Sequence, residues 1–185
     1  MSTLEVNTLD SVSGTSTLTI GGSNAGTIAL GSGDVQSNFL NPIFYGELAS
    51  DQTLTRSTTT KVAGMTNNEI DTNTAFDGTT FTVPSGQAGK YFIAGQFVAD
   101  YDTAGADGEQ HTLYIYKNGS QVKYSEWQFN TNTLNRIAGL NITAILSLSA
   151  SDTVEMYARL QDASANTGMV LKATHTTFSG YRIGT

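Results

Sequence analysis

The side chains best able to hold a ligand or do chemistry lie in one acidic stretch and one aromatic strand. Asp100, Asp102, Asp107 and Glu109 place four carboxylates within ten residues, on a segment interrupted by Gly105 and Gly108. Oxygen ligands close together on a flexible loop can hold calcium, a hard cation that takes six to eight of them. The spacing departs from the helix–loop–helix calcium pattern, because Ala104 stands where a third ligand belongs. A solvated loop between two strands is the plainer reading of the same residues. Trp127 sits between Glu126 and Gln128. An indole beside amides and acids can stack on a sugar, so Trp127 and Gln128 are candidate ligand-binding residues; packing in a core or an interface is the commoner fate of a tryptophan.

Catalytic constellations do not emerge. His111 and His175 are the only histidines, and neither has a partner at metal-ligand or triad spacing. Both read as surface or strand residues. There is no cysteine, which removes thiol nucleophiles, disulfides and thiolate metal sites. No Gly-x-Ser-x-Gly elbow and no Gly-x-x-x-x-Gly-Lys phosphate loop is present. Paired carboxylates alone do not make a glycosidase without a pocket. The expectation is a protein that is not an enzyme and needs no cofactor, calcium at the acidic stretch being the one open case.

The elements that would carry these residues are strands. Charged residues are only 14% of the chain, and the polar remainder is Thr, Ser, Asn and Gly rather than Lys and Glu. Good helix formers are therefore scarce while β-branched and aromatic residues abound. Strand signals fall at residues 80–83, 90–99, 112–116, 121–129, 137–148, 153–160, 169–173 and 178–183. Leu113 and Ile115 alternate with Tyr114 and Tyr116, and Val154, Met156, Ala158 and Leu160 mark the inward side of another strand. Asn118-Gly119 between two such runs is the strongest hairpin signal, since both positions accept positive φ. About eight short strands with turns between them point to a sandwich or jelly roll.

Composition changes near Phe39. Residues 1–38 are Ser, Thr, Gly and small aliphatics without an aromatic before Phe39. Leu18-Thr19-Ile20-Gly21-Gly22 and Ile28-Ala29-Leu30-Gly31-Ser32-Gly33 look like two weak copies of one unit. Each short burst offers two or three apolar side chains, too few to offset the entropy of ordering alone. Residues 1–38 are either a linker or an arm that orders on association, as a docking arm or intertwined stalk; recurring period-2 alternation favours the arm. Residues 39–185 form the second domain.

The net charge of -7, with nine scattered Lys and Arg, offers no basic stripe for phosphates, so nucleic-acid binding is not expected. Met1-Ser2-Thr3-Leu4-Glu5 has neither the basic start nor the apolar core of a secretory leader. The apolar run at residues 137–148 is broken by Gly139, Asn141 and Thr143 and is shorter than the roughly 20 residues that span a bilayer. The expectation is a soluble chain without membrane insertion.

Several motifs resemble a known family. Phe81-Thr82-Val83-Pro84 followed by Gly89-Lys90-Tyr91-Phe92 is similar to the F-x-V-P…G-x-Y-x-F opening of the globular head of the complement first component's q subunit. Adiponectin and the cerebellins share that head, and tumour-necrosis-factor ligands share its trimeric jelly roll. Leu113-Tyr114-Ile115-Tyr116-Lys117-Asn118-Gly119 resembles L-x-L-x-K-N-G. Leu146 to Val154 resembles L-x-L-x-x-G-D-x-V, with Ser151 in place of the usual Gly before Asp152, a change expected to alter the turn. Thr177-Phe178-Ser179-Gly180-Tyr181 resembles the closing S-x-F-S-G-x strand. The resemblance implies an all-β jelly-roll sandwich that is homotrimeric. It also implies a use for the surplus of aromatics (Tyr91, Phe92, Tyr114, Tyr116, Phe178 and Tyr181), one set of which would pack at the threefold interface. A monomer with an ordinary core is the alternative. Some heads of this family bind calcium near the trimer axis.

The N-terminal pattern Leu4-Glu5-Val6-Asn7-Thr8-Leu9, Ser13-Gly14 and Leu18-Thr19-Ile20-Gly21 resembles the start of fibre and appendage proteins of tailed, notably marine, bacteriophages. Arm and head together imply a virion structural protein assembled in the host cytoplasm: a tail fibre, knob or capsid-surface fibre. Its partners would be itself, other virion proteins through the arm, and a host cell-surface glycan or protein. The alternative is a bacterial lectin-like adhesive module.

Overall fold

The computed structural model describes residues 42–66, 70–101, 108–128, 137–162 and 169–184. All belong to one compact unit, Asn38–Thr185. Residues 1–38 and the acidic stretch around Asp102 and Asp107 lie outside the described residues. The strands, in chain order, are β1 (Ile43–Leu48), β2 (Gln52–Leu54), β3 (Thr60–Lys61), β4 (Met65–Thr66), β5 (Thr80–Thr82), β6 (Gly89–Tyr101), β7 (Gly108–Lys117), β8 (Ser120–Gln128), β9 (Ile137–Leu148), β10 (Thr153–Asp162), β11 (Met169–Leu171) and β12 (Thr177–Gly184). A single 3₁₀ turn at Thr72–Thr74 is the only helical element among the described residues. No helix among them is long and apolar enough to cross a membrane.

Two antiparallel sheets make a sandwich. In the first, β6 is flanked by β9 on one side and by β12 and β11 on the other; β12 continues to β1 and β4, and β11 to β2. The second runs β8-β7-β10, with β3 and β5 both pairing the far side of β10. The long strands at residues 80–183 follow the sequence reading, and the inward row of β10, Val154, Met156, Ala158 and Leu160, is fully buried. Strands β1 to β4 were not anticipated. β2 to β4 are two or three residues long and mostly polar, so pairing with β11, β10 and β1 rather than local preference makes them strands, whereas β1, Ile43-Phe44-Tyr45-Gly46-Glu47-Leu48, carries strand-forming residues that alternate in burial and pairs with β12.

The core lies between the sheets. Phe44 stacks on Phe81 with ring centroids 4.5 Å apart and on Phe76 at 5.0 Å, and Phe178 meets Phe44 edge-on at 5.2 Å. Tyr91 is buried with them, its hydroxyl donating to the Gln87 carbonyl. Gly180 of β12 makes room for this cluster: a Cβ there would stand 2.7 Å from Ile93 Cδ1 and 2.8 Å from Phe44 Cε1. The glycine of the closing motif is thus a packing requirement.

Two of the family-like motifs meet at one end of the sandwich. The β7–β8 hairpin turns through Asn118 and Gly119 at φ 50° and 74°, the pair of positive values that a type I′ turn needs. Asn118 donates from Nδ2 to Asp152 Oδ1 at 2.8 Å and accepts the Thr153 N–H on Oδ1 at 2.8 Å. Asp152 Oδ2 accepts the Ser149 N–H at 2.8 Å and faces Lys117 Nζ at 2.9 Å. The hydrogen bond from Asn118, then those from Ser149 and Lys117, hold the Asp152 carboxyl at about 2. Ser151 takes φ 70° in this turn. It occupies the left-handed conformation that glycine favours and bears the strain of a side chain there.

Candidate binding surfaces

A two-layer sandwich has two outward faces, and alternation along each strand decides what they carry. The six aromatics noted above divide three ways. Tyr91 and Phe178 enter the core. Phe92 and Tyr181 stand on the outward face of the first sheet, and Tyr114 and Tyr116 on that of the second.

On the first face, cross-strand pairing aligns Ile145 of β9, Phe92 of β6, Tyr181 of β12 and Ile43 of β1 in one row. The Phe92 and Tyr181 rings are 5.4 Å apart. Ile145 is 66% exposed and Ile183 also faces solvent. The next rows are small and polar: Thr143, Ala94 and Ser179, then Asn141, Gln96 and Thr177. These residues line a shallow depression of about 260 Å³. At the far end Val98 and Ile137, the latter 61% exposed, form an apolar wall with Asp100, Lys172 and His175 around a cleft of about 280 Å³. Lys172 also pairs with Asp51, which together with the Ala173 N–H lowers the Asp51 carboxyl below its usual range. A sheet face with large apolar groups at both ends is one that a partner would cover.

On the second face the rows are polar and aromatic. Tyr124, Tyr114, Tyr157 and Lys61 align across β8, β7, β10 and β3. Gln121, Tyr116, Glu155 and Thr80 form the row on one side. Glu126, Thr112 and Arg159, then Gln128, Gln110 and Gln161, form the rows on the other. Ring centroids are 4.2 Å apart for Tyr116–Tyr157, 6.2 Å for Tyr114–Tyr116 and 6.3 Å for Tyr114–Tyr124. Burial, with the neighbouring Glu155 carboxylate, raises the Tyr157 phenol above its ordinary value, so it stays protonated at neutral pH.

The sequence candidates fall as follows. Asp100 is the last but one residue of β6, opposite Ile137 and Val170, and lines the cleft that also holds Lys172 and His175. Glu109 lies in β7, while Asp102 and Asp107 fall outside the described residues, so the four carboxylates of the calcium expectation are not seen together. Among the described residues no group of three or more acids and histidines could hold a metal. Trp127 and Gln128 are neighbours on β8 and leave the sheet on opposite sides. Gln128 joins the amide row of the tyrosine face. Trp127, 50% exposed, pairs with His111 on the side of the sandwich interior. His111 is a strand residue as expected, yet 0% exposed, its ring 6.5 Å from that of Phe97. Burial lowers its pKa from 6.5 to about 4. The tyrosine face was the surface that sequence reasoning missed. Its signal was the same alternation that placed Leu113 and Ile115 inward, followed from β7 across to Tyr124 and Tyr157.

Comparison with known proteins bears on the fold. No protein-family model matches the chain, and no curated protein matches it in sequence. Solved structures do. The globular domain of zebrafish complement 1qA protein superposes with a TM-score of 0.51 at 16% identity, covering 77% of this chain and 98% of that one. Murine APRIL superposes with a TM-score of 0.54 at 8% identity, covering 76% and 97%. The fold is the complement and tumour-necrosis-factor-like jelly roll. At these identities the likeness establishes architecture, which the head's sequence motifs had indicated, and leaves function to the surfaces.

Proposed function

We propose that the protein is a trimeric binding head, non-enzymatic, carried on the virion of a bacteriophage as a tail fibre, knob or capsid-surface fibre. The observation that carries the self-association is the outward face of the first sheet. Ile145, Phe92, Tyr181 and Ile43 lie in one outward row there, Ile145 exposed and the other three half-buried, and such an apolar band is costly to leave in water. Three copies related by a threefold axis would each cover that band with a neighbour. The second sheet would then face outward on the assembled head. The virion role rests on the N-terminal pattern of residues 1–38 and on its union with a jelly-roll head in one chain. In this reading residues 1–38 contact other virion proteins, and the head meets the host surface. Calcium at Asp100, Asp102, Asp107 and Glu109 would add to the head if these oxygens converge.

The test combines two measurements. Light scattering on the full chain and on a chain beginning at Phe39 should give three times the chain mass for both. A monomer in both removes the trimer, and a trimer only for the full chain moves assembly into residues 1–38. Mass spectrometry of purified particles should find the protein at a fixed stoichiometry to the major capsid protein; its absence from particles removes the virion role.

A further inference from the structure

We propose that the tyrosine face of the second sheet, built on Tyr114, Tyr116, Tyr124 and Tyr157, is a binding platform for neutral polysaccharide. The proposal rests on the reading of this domain as a binding head and names the chemistry of its ligand. Three features of the face point to that ligand.

The first is the contrast between the two faces. The first sheet shows isoleucines and Phe92 with a single phenol, Tyr181, in their row, a mostly apolar band suited to a dry protein contact. The second shows four phenols in its central rows, with the exposed Val122 at the β8 bulge beside them. Phenol rings offer apolar surface to the C–H faces of a pyranose and a hydroxyl to its alcohols, as amphipathic aromatics do at wet interfaces. The four rings form one cluster across three strands, with centroids 4.2 to 6.3 Å apart, Tyr114 and Tyr116 meeting edge-on and the other pairs tilted.

The second is hydrogen-bonding capacity. Among the described residues, only Tyr157 of the four tyrosines commits its hydroxyl to a protein partner, Glu155 Oε2 at 3.4 Å. The hydroxyls of Tyr114, Tyr116 and Tyr124, and the amides of Gln121 and Gln128, are left for a ligand. Sugar hydroxyls both donate and accept, and phenols and amides do the same.

The third is charge. The face is electrically balanced, with Lys61 and Arg159 against Glu155 and Glu126. Lys61 is bonded to Glu155 and to Thr80 Oγ1 at 3.1 Å. Arg159 is held by Gln110 Oε1 at 2.7 Å, Gln161 Oε1 at 2.8 Å and the Ser57 carbonyl at 3.1 Å. Glu126 accepts from the Thr112 hydroxyl at 3.3 Å. Its ionic groups are already engaged, which disfavours phosphorylated or strongly charged ligands and suits an uncharged polyhydroxyl chain.

Affinity electrophoresis of the full-length protein tests this, in native gels containing dextran, mannan, laminarin or galactan, with polygalacturonate as the acidic control. The wild type should be retarded by at least one neutral polymer and unaffected by polygalacturonate. The double change Tyr124→Ala with Tyr157→Ala should weaken that interaction at least about tenfold, while Tyr124→Phe with Tyr157→Phe, which keeps the rings, should retain most of it. No retardation of the wild type by any neutral gel, retardation by polygalacturonate alone, or undiminished binding by a folded alanine variant overturns the proposal. Light scattering on the same samples separates it from the trimer. A trimer that binds no neutral polymer sinks the platform alone, and a monomer that binds one upholds the platform and sinks the trimer. Loss of trimer mass in the alanine variant would assign this face to a second copy of the chain and overturn the proposal.

Discussion

His111 should make the head sensitive to mild acid. It is fully buried in β7 beside Phe97, and burial lowers its pKa from 6.5 to about 4. In the unfolded chain the imidazole takes up its proton near 6.5, while the folded chain resists until about 4. The unfolded state therefore binds more protons between those values, and stability falls as pH drops through that window. Above pH 6.5 the ring is neutral in both states and carries no protonation penalty. At about 1.4 kcal/mol per pH unit across the window from 6.5 to about 4, the full loss is about 3 kcal/mol. The perturbation is His111→Leu, which keeps an apolar group in the site and removes the titration. Urea unfolding of wild type and variant should be compared from pH 7.5 to 4 at one fixed chain concentration, because assembly shifts apparent stability. Surface carboxylates titrate equally in both proteins and cancel in the difference. The wild type should lose about 3 kcal/mol relative to the variant over that range. A wild-type-to-variant difference that stays constant from pH 7.5 to 4 refutes the reasoning.

Other positions give sharper structural tests. Gly180→Ala places a methyl 2.7 Å from Ile93 and 2.8 Å from Phe44 and should destabilise the head by about 1–3 kcal/mol, measured by thermal or urea unfolding. Ser151→Gly relieves a side chain held at φ 70° and should stabilise by about 1 kcal/mol; an unchanged or lowered midpoint contradicts the strain. Asp152→Ala removes the acceptor for Asn118, Ser149 and Lys117 and should cost about 1–2 kcal/mol at neutral pH. Because the Asp152 carboxyl is held at about 2 in the folded head against 3.8 in the free residue, that contribution is present above pH 3.8 and fades as pH falls towards 2.

The sequence was most informative where periodicity is strict. Val154, Met156, Ala158 and Leu160 could be placed inward because alternation over eight residues leaves one register, and all four are buried. Asn118-Gly119 could be placed in a hairpin because few dipeptides accept two positive φ values. Strands β2 to β4 escaped because two- and three-residue strands carry too little pattern and owe their state to neighbours distant in sequence, whereas the alternation of Phe44, Gly46 and Leu48 in β1 was legible and was overlooked. His111 was read as a surface or strand residue. Its position in β7 is in phase with Leu113 and Ile115, so the same alternation would have placed it inside had the strand been extended one residue upstream. The tyrosine face was spelled out strand by strand but became a surface only once the β7–β8 and β7–β10 registers were known. Calcium binding was not legible as geometry at all, since its expectation rested on spacing within one loop.

The central claim is self-association through the outward face of the first sheet, and the most direct measurement is the solution mass of the Ile145→Asp variant beside the wild type. Ile145 is 66% exposed and makes no contribution to the inner core, so the substitution should leave the fold intact, as circular dichroism would verify. A charge buried without a partner at an interface is strongly unfavourable. Three times the chain mass is expected for the wild type and for Tyr124→Asp on the opposite face, and a shift to monomer for Ile145→Asp. A trimer that survives Ile145→Asp, or one that dissociates with Tyr124→Asp instead, would contradict the account and place the interface elsewhere.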